Sequence, residues 1–410
     1  MNVRQLAFVC TAILGLATAV AAGERKVPGS YSTIQAAVDA AASGDVVVCA
    51  PGTYTEAVTA TKSNITISGA AGAVWDGKTG TAAATCVNLV GNANTVTGFT
   101  FKNGVDHVVL TGDDCKVKDS ISLDASGSFA LVTGARALVD NCKAERTGKS
   151  AVVCDGNGSI VTDVDVDVCA KTGIDVKGDD CKVHRCKTNK CDDNGKRVRG
   201  KRCEVKWCEA YSCKPSGFHC EVDDTYCYGN WAEECGTVSG SGSGYLFIGS
   251  YNTIKLSDSW KCKPHGQWCK GDYNWCYDNW ADYCDEDGFR CEGNDNDCEY
   301  NQARDNGRDG HNGRGDRNRY YECRAYDSGD DGFDCESGAD NYLKYCTGKW
   351  NNGAGCENGG TKTDVYGCVF LYNTVDVGLD GSLGASFDLF SLNTFLSGSL
   401  TGILKIGLGL

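Results

Sequence analysis

Hydrophobic and polar residues alternate along this chain inside a frame that repeats every 22 residues. Glycines mark the frame. One series is Gly112, Gly134, Gly156 and Gly178; a second is Gly173, Gly195 and Gly217; a third is Gly244, Gly266, Gly288, Gly310 and Gly332. An insertion around Val238–Ser243 separates the second series from the third. With the glycine as the first position, the second is often apolar (Ile174, Phe218, Phe289, Phe333) and the fourth is Val or Cys (Val176, Cys220, Cys269, Cys291, Cys335). The third varies and is mostly polar (Asp175, Arg197, His219, Arg290, Asn312, Asp334). That alternation predicts strands with one face in and one face out. A unit this short has no room for a crossover helix, but suits three short strands and three turns. The repeat therefore predicts an all-β solenoid of about 14 coils from residue 57 onward. Asn252, Asn274, Asn296 and Asn318 fall in one column, where stacked amides can satisfy backbone groups of adjacent coils.

The start of the chain breaks the pattern. Tyr31–Ala42 predicts a short amphipathic helix with Ile34, Ala37, Val38 and Ala41 on one face, Ser32 as its N-cap and Gly44 as its stop. A strand at Asp45–Ala50 and a turn at Pro51-Gly52-Thr53-Tyr54 follow. The passage Ser32-Thr33-Ile34-Gln35-Ala36-Ala37-Val38 through Gly44-Asp45-Val46-Val47-Val48 to Ala50-Pro51-Gly52-Thr53-Tyr54-Thr55-Glu56 resembles the N-terminal cap of the pectin-lyase-like family. The resemblance implies a right-handed parallel β-helix plugged by a helix. The expected organisation is an export signal at residues 1–22, a cap at 23–56 and a parallel β-helix with cysteine and asparagine ladders at 57–410.

The export signal rests on Arg4, the apolar run Leu6–Leu16 and small residues at Ala19–Ala22. It makes the protein secreted and extracellular. No later stretch is long and apolar enough to span a bilayer, so no membrane partner is expected. Of 27 cysteines, Cys10 lies in the signal. The rest share columns one coil apart, such as Cys169, Cys191, Cys213 and Cys235. A coil spacing of about 4.8 Å falls within the Cα range of a disulfide, so most are expected to pair between coils. Their spread along the coils argues against zinc. The net charge of -14 excludes nucleic acid as a partner, and a polyanionic sugar would need a metal between two negative surfaces. A monomer is expected.

Such a metal has an obvious place. In Ser328-Gly329-Asp330-Asp331-Gly332-Phe333-Asp334-Cys335-Glu336, carboxylates crowd together, and the 22-residue frame stacks Asp287, Asp309 and Asp331 in one column. Crowded carboxylates repel unless a cation lies among them. Hard oxygen ligands suit Ca²⁺. Turn chemistry alone explains Asp before Gly, but neither Asp330 nor Asp334. The run Asp-Asp-Gly-Phe-Asp, preceded one coil earlier by Asp-Gly, resembles the calcium site of family 9 pectate lyases, as does Glu322-Cys323-Arg324-Ala325-Tyr326-Asp327-Ser328-Gly329 before it. The resemblance implies Ca²⁺ ligation by Asp309, Asp330, Asp331 and Asp334, with Asp287 below them. It implies a polysaccharide lyase that cleaves polygalacturonate-type chains by β-elimination. In that family a lysine in a Gly-Phe-Lys-Leu-Gly-Gly run takes the proton; the corresponding run here is Gly353-Ala354-Gly355-Cys356-Glu357-Asn358-Gly359-Gly360, read with Gly355 at the lysine position. Arg290 and Arg314 are the stand-in bases on the same face. Trp268, Asn312 and Glu336 are the expected sugar contacts. Whether the chain is an enzyme stays open: the alternative is a non-catalytic β-helix that binds glycan in a cell-wall or adhesive role. Hydrolysis is disfavoured, because Gly310-His311-Asn312 precedes Asp330-Asp331, the reverse of the polygalacturonase order.

Overall fold

The computed structural model describes residues 22–79, 82–237 and 242–379, with the strands Phe387–Phe390, Thr394–Phe395 and Leu404–Gly407 beyond them. The export signal expected at residues 1–22 thus lies outside the described residues, apart from its last position. The chain coils into a parallel β-solenoid of about 16 turns, each of about 22 residues. One strand per coil builds a 15-stranded sheet, and the other two join a 32-stranded sheet around the rest of the wall. All pairings between coils are parallel among the described residues; the sole antiparallel pair is the hairpin Lys78–Thr79 with Ala82–Ala83.

The register explains the repeat. Phe289 pairs with His311, and His311 with Phe333. The inward rings therefore stack directly: His311 lies flat between Phe289 at 4.9 Å and Phe333 at 4.8 Å. Burial drives the His311 imidazole down to about 4, so it packs as a neutral ring. The insertion stretches one step, pairing Phe218 with Tyr245. Lys196 occupies an inward position: its Nζ donates to Thr188 Oγ1 at 3.0 Å and lies 4.9 Å from the Phe218 ring.

At the N-terminal end, the helix is shorter than expected, Ile34–Ala40, and its cap is Thr33, not Ser32. Thr33 Oγ1 accepts the Ala36 N–H, and the Glu56 carboxylate accepts those of Ile34 and Gln35. Ile34, Ala37, Val38 and Ala41 are all buried, as the periodicity required. The adjoining strands Glu24–Val27 and Val46–Cys49 pair in parallel with each other and then with Thr66–Gly69, so the cap runs into the coil stack.

Asparagines form a continuous ladder. The N–H groups of Thr225, Asn252, Asn274, Asn296 and Asn318 each donate to the side-chain oxygen of the Asn one coil on, the last being Asn341. Cysteines occupy equivalent columns, but as thiols. The 26 described cysteines are all buried. Stacking in register points neighbouring side chains the same way, so their Cβ atoms stay a coil apart. A disulfide needs Cβ atoms about 3.8 Å apart and turned toward each other. The expectation of ladder disulfides used the Cα spacing alone, which is the less demanding test. Many thiols instead meet a carbonyl: Cys208 Sγ lies 3.4 Å from Val183 O, and Cys235 Sγ 3.4 Å from Ala210 O.

The ladder sets a stability expectation. Asn296→Ala strands the buried Asn274 N–H and should cost about 1–3 kcal/mol. Arg317→Ala, which removes the exposed ion pair with Asp295, should cost less than the ladder substitution. Chemical denaturation of both variants beside the parent checks the ordering; equal losses would contradict a structural role for the ladder.

Candidate metal centre

Three strands of the 15-stranded sheet carry the acidic patch: Phe289–Glu292, His311–Arg314 and Phe333–Ser337, each entered by an Asp-Gly turn. The turn aspartates form a ladder like the asparagine one. Asp287 Oδ1 accepts the Asp309 N–H at 3.4 Å, Asp309 Oδ1 that of Asp331 at 3.1 Å, and Asp331 Oδ1 that of Ala354 at 2.5 Å. An asparagine would accept those bonds equally well. Aspartate adds a buried charge at each rung, which turn geometry does not require.

The structure brings together Asp309, Asp331 and Asp334, whose carboxylate oxygens all lie within 4.8 Å of one another. All three are buried. Asn312 binds them into a unit: its Nδ2 donates to Asp309 at 2.9 Å and to Asp334 at 3.0 Å, with Glu336 at 3.3 Å. Its Oδ1 is buried without a partner. The three carboxylates fit Ca²⁺, and the buried amide oxygen becomes a fourth donor once the Asn312 amide turns over. Gly353 matters here, because a Cβ on it would collide with the carboxylates of Asp331 and Asp330.

Asp330 and Asp287 stand outside this group. Asp330 is exposed at the turn. Asp287 is one coil below, where Arg290 reaches it at 3.4 Å and its N–H donates to His265 Nδ1 at 3.3 Å. Burial, then Arg290, lowers His265 to about 3, so that imidazole is neutral.

The electrostatics follow from crowding. Burial, then Asp309, pushes Asp287 up to about 7. Burial, then Glu357, pushes Asp331 up to about 9. Burial, then Asp309 and Glu336, pushes Asp334 up to about 8. Asp309 rises too, through burial. Burial also works against Glu336, yet its pair with Arg314 holds it below the usual range.

The remaining expected residues are placed differently from their anticipated roles. Arg290 is buried and held by Glu292 at 2.9 Å; Arg314 grips Glu336 through Nε at 2.5 Å and Nη2 at 2.6 Å. Both guanidinium groups are occupied by carboxylate partners. Trp268 is on the outward face but only 8% exposed, covered by Lys270, whose Nζ is 3.5 Å from the ring, and by Arg290. It has no free face for a sugar. Asn312 is fully buried and serves the carboxylates.

Two site residues were not anticipated. Glu357 pairs with Asp334 across the coils, so it, and not Gly355, holds the outward place beside the cluster. A bulge after Gly313 and a 23-residue step shift the register there. Counting back from Gly359-Gly360 rather than forward from Gly332 would have found it. Arg308 lies 3.7 Å from Asp309 and is 40% exposed; its sequence neighbour Asp309 was the only available signal.

No family model matches the chain, and no curated protein matches its sequence. Solved structures with a similar path include the A-module of mannuronan C-5 epimerase AlgE6 from Azotobacter vinelandii, at 14% identity and TM-score 0.37, over 89% of this chain and 95% of that one. Pectate lyase Pel9A aligns at 13% identity and TM-score 0.34, over 93% and 80%. The receptor-binding domain of the Siphovirus 9NA tailspike aligns at 12% identity and TM-score 0.45, over 94% and 78%. These likenesses concern the coil path and bear on no residue of the site.

Proton binding gives the site a pH signature. Unfolded carboxyls titrate near about 4, whereas Asp287, Asp334 and Asp331 hold protons to about 7, 8 and 9. Between these limits the folded state binds more protons, so stability without a cation falls as pH rises. A bound divalent cation replaces the protons and reverses the loss. Calcium should therefore raise the melting temperature more at about pH 9 than at about pH 5, and Asp331→Asn should raise the cation-free melting temperature at the higher pH while abolishing the calcium increment. Thermal scans at both pH values check this; a calcium effect independent of pH would contradict it.

Proposed function

We propose that this is an exported protein that recognises acidic, uronate-type polysaccharide through Ca²⁺ held by Asp309, Asp331 and Asp334. The observation that carries the reading is the convergence of three buried carboxylates, with oxygens within 4.8 Å, two of them (Asp309 and Asp331) at ladder positions where an amide would serve. No structural need of the turns calls for that charge. Bound there, Ca²⁺ would supply a positive centre that neutralises a sugar carboxylate and, in an elimination, the charge growing on it.

The chain's own residues do the rest. Asn312 orients Asp309 and Asp334. Arg290 and Arg314 hold Glu292 and Glu336 at the rim, leaving a face of mixed charge instead of a purely repulsive one. Arg308, partly exposed beside Asp309, is the guanidinium on this face that can turn to an anionic sugar. Stacked Tyr251 and Tyr273, exposed at turns two and one coils before Asp295, give rings 5.1 Å apart that suit sugar faces elsewhere along the solenoid.

Binding is the reading favoured over catalysis. The place beside Asp334 holds a carboxylate, Glu357, and the arginines first considered as bases are capped. β-Elimination is the second reading, favoured by Arg308 alone. The two separate cleanly. On polygalacturonate and on alginate with Ca²⁺, the protein should bind, lose binding with a chelator, and produce no rise in absorbance from unsaturated uronate. Arg308→Ala should weaken binding about tenfold. Chelator-sensitive unsaturated product, lost in Arg308→Ala, would replace the binding reading with the lyase one. Calcium-independent binding, or none to either uronan, would overturn the proposal.

A further inference from the structure

Within the solenoid, well below the acidic surface, four cysteines meet. Cys269 and Cys291 are paired neighbours on the 15-stranded sheet, in the strands His265–Lys270 and Phe289–Glu292. Cys276 and Cys298 are paired neighbours on the facing wall, in Trp275–Tyr277 and Asp297–Glu299. All four point inward and are buried. Cys269 Sγ lies 3.6 Å from Cys276 Sγ, and Cys291 Sγ 3.5 Å from Cys298 Sγ. The sulfurs of Cys276, Cys291 and Cys298 all fall within 4.8 Å of one another. One cysteine per wall in each of two successive coils makes a compact four-sulfur cage. The expectation that these cysteines would lie too far apart for a metal considered one wall at a time.

We propose that Cys269, Cys276, Cys291 and Cys298 form an internal four-thiolate site for a thiophilic d10 cation of the zinc class. Zinc–sulfur bonds of about 2.3 Å place the corners of a tetrahedron about 3.8 Å apart. The two cross-wall pairs already stand near that spacing, and Cys269, outside the three-sulfur group, has to turn toward it to complete the fourth corner. A disulfide would need about 2.05 Å.

Two further observations set this cluster apart. First, ladder thiols such as Cys186, Cys208 and Cys235 lie against main-chain carbonyls. The contacts described for these four sulfurs are with one another. Second, the cage has a floor and a lid. On one side, Phe247 and Ile254 pair with Cys269 and Cys276. On the other, Gly313 and Tyr320 pair with Cys291 and Cys298. Gly313 leaves a gap, and the Tyr320 hydroxyl fills it. That hydroxyl is buried and has no partner. It is an unused donor one coil above Cys291, positioned to offer its hydrogen to a thiolate sulfur.

On binding, each ligating S–H loses its proton to solvent and each sulfur gives an electron pair to the cation, with no redox change. Four thiolates around a divalent ion leave a net charge of two minus, which the Tyr320 O–H dipole offsets in part. The cage is enclosed, so the ion enters as these coils close during folding. The competing fate in an oxidising setting is a pair of cross-wall disulfides, Cys269–Cys276 and Cys291–Cys298.

Full-length protein refolded under reductant with Co²⁺ provides the test, because only sulfur ligation gives the intense near-ultraviolet charge-transfer band together with the visible bands of tetrahedral cobalt. Both band sets should appear at one ion per chain, and Zn²⁺ should displace them. Cys276→Ser and Cys291→Ser should each lower ion retention by about tenfold or more, whereas Cys186→Ser and Asp334→Asn should retain the bands. If the variants fail to fold, native mass spectrometry of the parent refolded with Zn²⁺ decides: one chelator-resistant zinc with four thiols shielded from alkylation supports the site. Retained cobalt without the sulfur band, or a metal-free chain lighter by four hydrogens with those two disulfides, would overturn it.

Discussion

Everything in this molecule depends on one constraint: successive coils stack in parallel and in register, so that a residue meets the residue one period later. Backbone hydrogen bonds enforce it along both sheets. Once it holds, like stacks on like, and each column becomes a one-dimensional array with its own chemistry. Apolar columns such as Phe289, His311 and Phe333 fill the lumen. Asparagine columns satisfy turns. The same constraint turns an aspartate column into a buried anionic stack, which is costly unless protons or a cation compensate.

The acidic centre joins a folding role to concentrated charge. Asp309 and Asp331 do the hydrogen-bonding work of a ladder amide, and they carry charge as well. Asp334 and Asn312, outward on adjoining strands, draw that charge to a point. Glu357 and Glu336 extend it to the rim, where arginines balance it. A site of this kind is pre-organised by the backbone and needs no loop to assemble it.

The period, the ladders and the capping helix were legible in the amino-acid sequence because they depend on local pattern and exact spacing. The convergence of Asp309, Asp331 and Asp334 followed from the same spacing. What spacing could not show was set by departures from it or by depth. Glu357 was hidden by a bulge that changes a 22-residue step to 23. Trp268 occupies an outward position, yet long cationic neighbours cover it, which alternation cannot report. The cysteine columns satisfied a Cα distance, but disulfide geometry depends on side-chain direction. The four-sulfur cage joins opposite walls of the lumen, a relation that no single column contains.

The central claim is that Asp309, Asp331 and Asp334 hold a divalent cation. Anomalous diffraction from crystals grown with Ca²⁺ and then exchanged into a lanthanide tests it most directly. The account predicts one strong peak among those three carboxylates, with Asn312 Oδ1 turned toward it. A clear map with no peak there, or with peaks only at exposed carboxylates such as Asp330, would contradict it.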